Sequence, residues 1–269
     1  GSMVDLLDLD RIEILRGPQG TLTGQNSIGG AIKLFSRKPD GTDHGYVELT
    51  KGSFNRVKGR AAAEFSIVPD SLFARISFVG ESSDGYVKEL DYNCLNPTPG
   101  VASVANRKNC VTGREGGREY LAGRASVRWV PSDRVEVNIS GDWLRDRSEP
   151  TPTVVTAIVP AVSEAPGLVA LLGTDAGLIR YAPPSFYTNY SNYTTNTAYG
   201  PSYSVNPKSW LDSYSVAGTI DFKLSDTVSL KSISSYRYTR TRFNADGDGS
   251  PLGLSTPTID LTVKQYTQE

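Results

Sequence analysis

Histidine and methionine each occur once in this chain, as His44 and Met3, and cysteine only twice, as Cys94 and Cys110. No Ser/His/Asp or paired-carboxylate arrangement accompanies His44, so no enzyme, cofactor or catalytic residue is expected. Apolar residues make up 38 % of the sequence. That is low for an α/β enzyme, and no run approaches the roughly 18 apolar residues that a membrane helix needs. A formal charge of −1 offers no attraction to a polyanion, so nucleic acid is not an expected partner. No signal peptide opens the chain. Residues 1–3, Gly1-Ser2-Met3, read as an expression scar, and the natural N-terminus is expected to be missing.

What the sequence has instead is strand and loop chemistry, rich in Tyr, Thr, Ser, Asn and Gly. From Gly45 onward, segments of about ten residues alternate in polarity. Along 57–67 the odd positions are apolar or small, while Lys58, Arg60 and Glu64 take even ones. Leu121, Ala125, Val127 and Trp129 oppose Arg124, Ser126 and Arg128; Val135, Val137, Ile139 and Trp143 oppose Glu136, Asn138, Ser140 and Asp142. Tyr214, Val216, Ile220 and Phe222 likewise oppose Ser215, Thr219, Asp221 and Lys223. The pattern predicts eight strands, about 45–52, 55–68, 71–83, 117–130, 134–147, 213–224, 227–243 and 258–269.

The connections sort by length. After a first tight hairpin at Gly52-Ser53-Phe54-Asn55, short turns (Pro69-Asp70-Ser71, Pro131-Ser132-Asp133, Leu224 to Thr227) alternate with long segments at 84–116, 148–212 and 244–257. Short turns on one rim and long loops on the other are the habit of outer-membrane β-barrels. A soluble β-sandwich also alternates, but its strands are usually shorter. Trp129 and Trp143, near opposite strand ends, suit an aromatic girdle at each lipid–water boundary. In a barrel the charged face lines a wet interior. The reverse arrangement would place Arg60, Arg75, Arg124 and Arg128 in hydrocarbon, at roughly 2–4 kcal/mol each near the midplane.

The N-terminal stretch Arg11-Ile12-Glu13-Ile14-Leu15-Arg16-Gly17-Pro18-Gln19-Gly20-Thr21-Leu22, followed by Gly24-Gln25-Asn26-Ser27-Ile28-Gly29-Gly30-Ala31-Ile32, closely resembles the end of the plug domain in TonB-dependent outer-membrane receptors. The resemblance runs on through Tyr46–Asn55, Asp84-Gly85-Tyr86-Val87 and Trp129–Asp133. It implies an all-β antiparallel transmembrane barrel segment of about eight strands, preceded by the last part of a plug. Residues 4–40 would be that plug end and 41–269 the N-terminal part of the barrel. It also implies energised import of a scarce nutrient such as an iron–siderophore. The partners would be outer-membrane lipid, the remainder of the receptor barrel, and TonB through a segment ahead of the plug. A plugged lumen goes with about 22 strands and not eight, so the sequence reads as a piece of a longer receptor, inactive in transport alone. Two alternatives stand beside this reading: a small or oligomeric outer-membrane barrel serving as adhesin or channel, and a soluble β ligand-binding module.

Several residues follow as site candidates. Glu13, Arg16, Gly17, Pro18, Gly29 and Gly30 are expected at the plug–barrel contact, the two charges pairing with charges of the wall as the family's plug residues do. The aromatic loop with Tyr187, Tyr190, Tyr193, Tyr199 and Tyr203 presents ring faces and hydroxyls to a ligand, or serves only as loop packing and girdle. Cys94 and Cys110, in one long loop of an exported protein, are expected to form a disulfide, with two unrelated thiols as the alternative. Asp246 and Asp248 lack the full spacing of a calcium loop and read as an ordinary turn.

Overall fold

The computed structural model describes residues 8–18, 29–97, 109–154, 192–193, 208–245 and 257–269. Two strands come first, β1 (Leu9–Arg16) and β2 (Gly30–Ser36), paired antiparallel as a separate ribbon. Ala31, Ile32 and Leu34 lie in β2, and neither strand of this ribbon is among the eight expected from alternation. Ile12 lies opposite Leu34 and Ile14 opposite Ile32, which gives the ribbon one apolar face, and all four residues are exposed.

Eight strands then form one antiparallel sheet. In chain order they are β3 (Gly45–Lys51), β4 (Val57–Val68), β5 (Leu72–Ser83), β8 (Arg118–Ser132), β9 (Val135–Asp146), β11 (Lys208–Lys223), β12 (Ser229–Asn244) and β13 (Thr258–Gln268). Each pairs with the next, so the sheet is a meander with β3 and β13 at its edges. The eight segments read from alternation are these eight. The main boundary error is β11, which begins at Lys208 and so takes five residues from the expected loop.

The register sorts the residues into two faces. Glu64, Arg75, Ser126, Ser140, Ala217 and Ser235 lie in one cross-strand row. Ala61, Phe78, Gly123, Trp143, Tyr214 and Tyr238 lie in another, on the opposite face. The polar face is the covered one: Glu64, Arg75, Ser77 and Asp146 are buried, together with a small apolar cluster of Val79, Ala122 and Leu144. On the other face Phe65, Phe78, Trp129, Ile139, Val216 and Ile220 are exposed. A water-soluble domain buries apolar surface and exposes charge; the sheet from β4 to β11 does the reverse, whereas in edge strand β13 Ile259, Leu261 and Val263 share the polar face and Asp260 and Lys264 the other. Lumenal charges meet one another, as in Arg124–Asp142 at 2.6 Å, Arg128–Glu136 at 3.0 Å and Lys231–Asp221 at 3.1 Å. Arg60 and Arg128 sit on the same face as buried Arg75, as expected.

The first long connection is folded. It holds β6 (Val87–Leu90), the single-turn helix α1 (Tyr92–Leu95) and β7 (Val111–Glu115), with β10 (Asn192–Tyr193) added parallel to β6. Asp91 caps α1 by accepting from the Cys94 amide at 3.1 Å and is fully buried. A disulfide joins Cys94 to Cys110, whose Cα atoms are 5.5 Å apart. The tight hairpin at 52–56 lies at this same rim, where the Asp84 amide donates to Phe54 O at 2.8 Å and Asn55 Nδ2 to Asp84 at 2.6 Å. One short turn therefore belongs to the long-loop rim.

Candidate functional site: where the ribbon meets the wall

The chain passes from the β1–β2 ribbon to the sheet through residues 37–44, and this passage is clamped to the polar face. Asp8, just ahead of β1, adopts φ 54° and is buried. Its carboxylate takes a bidentate pair of bonds from Arg75, Nε at 2.6 Å and Nη2 at 2.7 Å. The third guanidinium nitrogen, Nη1, donates to Glu64 at 3.1 Å. The other Glu64 oxygen accepts from the amides of Asp40, at 2.5 Å, and Gly41, at 2.9 Å. The arginine and both carboxylates are thus desolvated and mutually satisfied, the condition under which buried charge is tolerated.

A second clamp lies beside the first. Glu136 accepts from Lys38 Nζ at 3.1 Å, Arg128 Nη2 at 3.0 Å and Asn138 Nδ2 at 2.7 Å, while Arg128 Nη1 also reaches Pro39 O at 3.4 Å. Pro39 is fully buried, and Gly41, at φ +92°, rests on the Phe73 ring. A Cβ at Gly41 would stand 2.6 Å from a ring carbon, so glycine is required there for both backbone and space. The Arg37 amide donates to Asp8 O at 3.0 Å, which ties the start of β1 to the end of β2. Asp40 turns its carboxylate back on the Thr42 hydroxyl and amide, and these bonds hold its pKa well below the usual carboxylate range. Ligand atoms of Asp40, His44 and Glu64 lie within 4.8 Å of one another, but both Glu64 oxygens are already bound by the clamp.

The residues expected at this contact behave differently. Glu13 accepts from Arg11 Nε on its own strand at 2.9 Å, an exposed pair far weaker than the buried one. Gly17 and Gly29 close the ribbon through a 3.3 Å backbone bond, and Gly30, at φ +139°, passes so close to Leu15 O that a Cβ would sit 2.3 Å away. Their glycine requirement arises within the ribbon. Pro18 and Arg16 stand at its tip. The clamp residues Asp8, Lys38, Pro39 and Gly41 were missed. Arg75 was assigned to the lumenal face without its partner, because nothing distinguishes Asp8 from Asp5 or Asp10 in the sequence. Tyr187, Tyr190, Tyr199, Tyr203, Asp246 and Asp248 lie outside the described residues. Tyr193 is described only in its backbone, which pairs with Leu90.

A ribbon pinned by ion pairs to the polar face of an outward-apolar meander defines a class of fold, and in both sequence and fold the chain is similar to TonB-dependent outer-membrane receptors. No family model matches the chain. The pesticin receptor of Yersinia pestis is 27 % identical over 129 residues, 48 % of this chain and 16 % of that receptor. The ferripyoverdine receptor of Pseudomonas aeruginosa is 39 % identical over 57 residues, 21 % of this chain and 7 % of that receptor. Among solved structures, the ferric-catecholate import receptor of Escherichia coli K12 in its open form superimposes with a TM-score of 0.64 at 13 % identity, over 97 % of this chain and 35 % of that one. The chain therefore spans about a sixth of the first of these relatives and a third of the solved receptor.

Proposed function

We propose that the chain supplies the end of the plug (residues 4–40) and the first strands of the barrel (41–269) of a receptor that imports a ferric siderophore through the outer membrane. In this reading the work is transport and not catalysis. Long loops on the outer rim capture the ligand, and TonB, acting on a segment ahead of the plug, supplies the pull that opens a path. By itself the chain restores no uptake, because eight strands leave two unpaired edges that lipid does not tolerate.

The observation that carries the reading is the Asp8–Arg75–Glu64 cluster, which joins the ribbon to the polar face of a sheet whose other face is apolar and bare. The names of the relatives supply the substrate class. The test is uptake by cells that lack their own receptors and express the complete natural gene containing this segment, offered catecholate, hydroxamate and mixed ferric siderophores. Energised accumulation of one of them is expected. Uptake of none, with cobalamin or a sugar taken up instead, would contradict the siderophore assignment.

A further inference from the structure

Aspartate is followed by glycine at 40–41, 84–85, 246–247 and 248–249. With no side chain on the second residue, such a pair is the most open to attack by its own peptide nitrogen on the aspartate carboxyl carbon. Asp40–Gly41 lies in the clamped passage, and both reacting groups are restrained there. The Gly41 amide commits its hydrogen to Glu64 Oε1 at 2.9 Å. The Asp40 carboxylate is turned on residue 42 instead, Oδ1 accepting from the Thr42 amide at 2.8 Å and from its hydroxyl at 2.5 Å. The Thr42 bonds also keep the carboxylate ionised, which is its less electrophilic form. Glu64 is fixed in turn by Arg75 Nη1 at 3.1 Å, and its side chain has no exposure. Asp40 itself is exposed. Water therefore reaches the pair, and hydrogen bonding rather than burial restrains it.

We propose that Asp40–Gly41 is a latent site of isoaspartate formation, unreactive while the passage is docked and released when it lets go. Local opening of this kind precedes global unfolding. In the released passage the Gly41 nitrogen gives up its proton and bonds to Asp40 Cγ, and one carboxyl oxygen leaves as water, which closes a five-membered succinimide. Water then adds to the ring carbonyl that was the Asp40 main-chain carbonyl and breaks its bond to nitrogen, leaving Gly41 attached through Cγ. The water lost is the water regained, so no other reactant enters and the mass is unchanged. The product carries one extra carbon in the main chain beside Gly41, where a single added Cβ would already stand 2.6 Å from the Phe73 ring. A converted passage cannot dock as before, so the change marks irreversibly a chain that has let go. The inference rests on the clamp alone and holds whatever the receptor carries.

The test is ageing of the complete natural receptor that contains this segment, folded in detergent micelles at mildly alkaline pH, beside the same receptor unfolded in urea. Isoaspartate at each Asp-Gly pair is read by enzymatic methylation and peptide fragmentation. Residue 40 should convert readily in the unfolded receptor and at least about tenfold more slowly in the folded one. Glu64→Gln should speed conversion at residue 40 of the folded receptor about tenfold, the shift expected when one charge-assisted hydrogen bond is lost. It should leave Asp84, at the long-loop rim, unchanged. Thr42→Val, at an exposed position outside the ionic cluster, keeps the fold and should speed residue 40 about fivefold by freeing the carboxylate. Conversion at one rate in folded and unfolded receptor, or no change at residue 40 in either variant, overturns the proposal. Equal acceleration at residue 84 would show a general loosening of the fold and overturns it too.

Discussion

At the scale of single residues, the account turns on Arg75. Two carboxylates from different parts of the chain converge on one guanidinium that is 1 % exposed. Removing one member of a buried ionic cluster strands the others, whereas neutralising the whole cluster is far less costly. Arg75→Met should therefore destabilise the folded chain by roughly 3–5 kcal/mol. Adding Asp8→Asn and Glu64→Gln to it should recover most of that loss. Urea unfolding of the complete receptor carrying these substitutions, in lipid vesicles, checks this; strictly additive losses across the three sites would show that they do not act as a unit. The cluster also shows what sequence reading reaches. Alternation put Arg75 on the wet face correctly, because period two is a local property. Its partner was illegible, because pairing over such a separation depends on how the ribbon docks. The glycines that dominate the motif drew attention to the ribbon tip, whereas the anchoring is done by one ordinary aspartate and the short passage Lys38–Gly41.

At the scale of elements, the strands of the large sheet were readable and the connection at 84–116 was not. Val87–Leu90 and Val111–Glu115 are too short to show a period against a background of Gly, Asn and Pro, and their pairing is organised by the Cys94–Cys110 bridge and buried Asp91. This hairpin packs next to Glu149, whose carboxylate accepts from the Gly117 amide at 2.7 Å. Burial pushes the Glu149 pKa up, assisted by nearby Asp84 and opposed by the Gly117 amide and Arg114. A raised carboxylate pKa means that the folded loop binds its proton more tightly than the unfolded chain does. The contribution of Glu149 is then fully present below the ordinary carboxylate range and is lost as pH rises through the raised value. Hydrogen-exchange protection of the β6–β7 amides, corrected for intrinsic exchange, should fall as pH rises above the ordinary carboxylate range in the native chain and stay flatter in Glu149→Gln. Parallel slopes in the two proteins would remove Glu149 from the account.

At the scale of the whole molecule, the middle of the sheet from β4 to β11 is inverted with respect to a soluble protein: charges gather and pair on one face, and hydrocarbon is bare on the other. From Val135 to Trp143 the apolar face of β9 runs about 27 Å along the strand. For tilted strands that fills most of an apolar band about 25 Å tall. This inversion was legible because it needs only alternation and the expense of arginine in lipid. The meander order pairs each strand of the sheet with the next through short and long connections alike, as consecutive strands most often do. How the ribbon lies against the wall was beyond sequence reasoning, because it depends on surfaces brought together only in the fold.

The inversion is most directly tested by spin labels placed one at a time at residues 135–143 within the complete natural receptor that contains this segment, in lipid vesicles, with collision rates measured against oxygen, which dissolves in lipid, and a water-soluble nickel chelate. Labels at Val137, Ile139 and Gly141 should collide preferentially with oxygen and those at Asn138, Ser140 and Asp142 with nickel, giving a period of two with opposite phase for the two reagents. Uniform nickel access along the strand, or the same period with its phase reversed, would contradict the assignment of the apolar face to lipid.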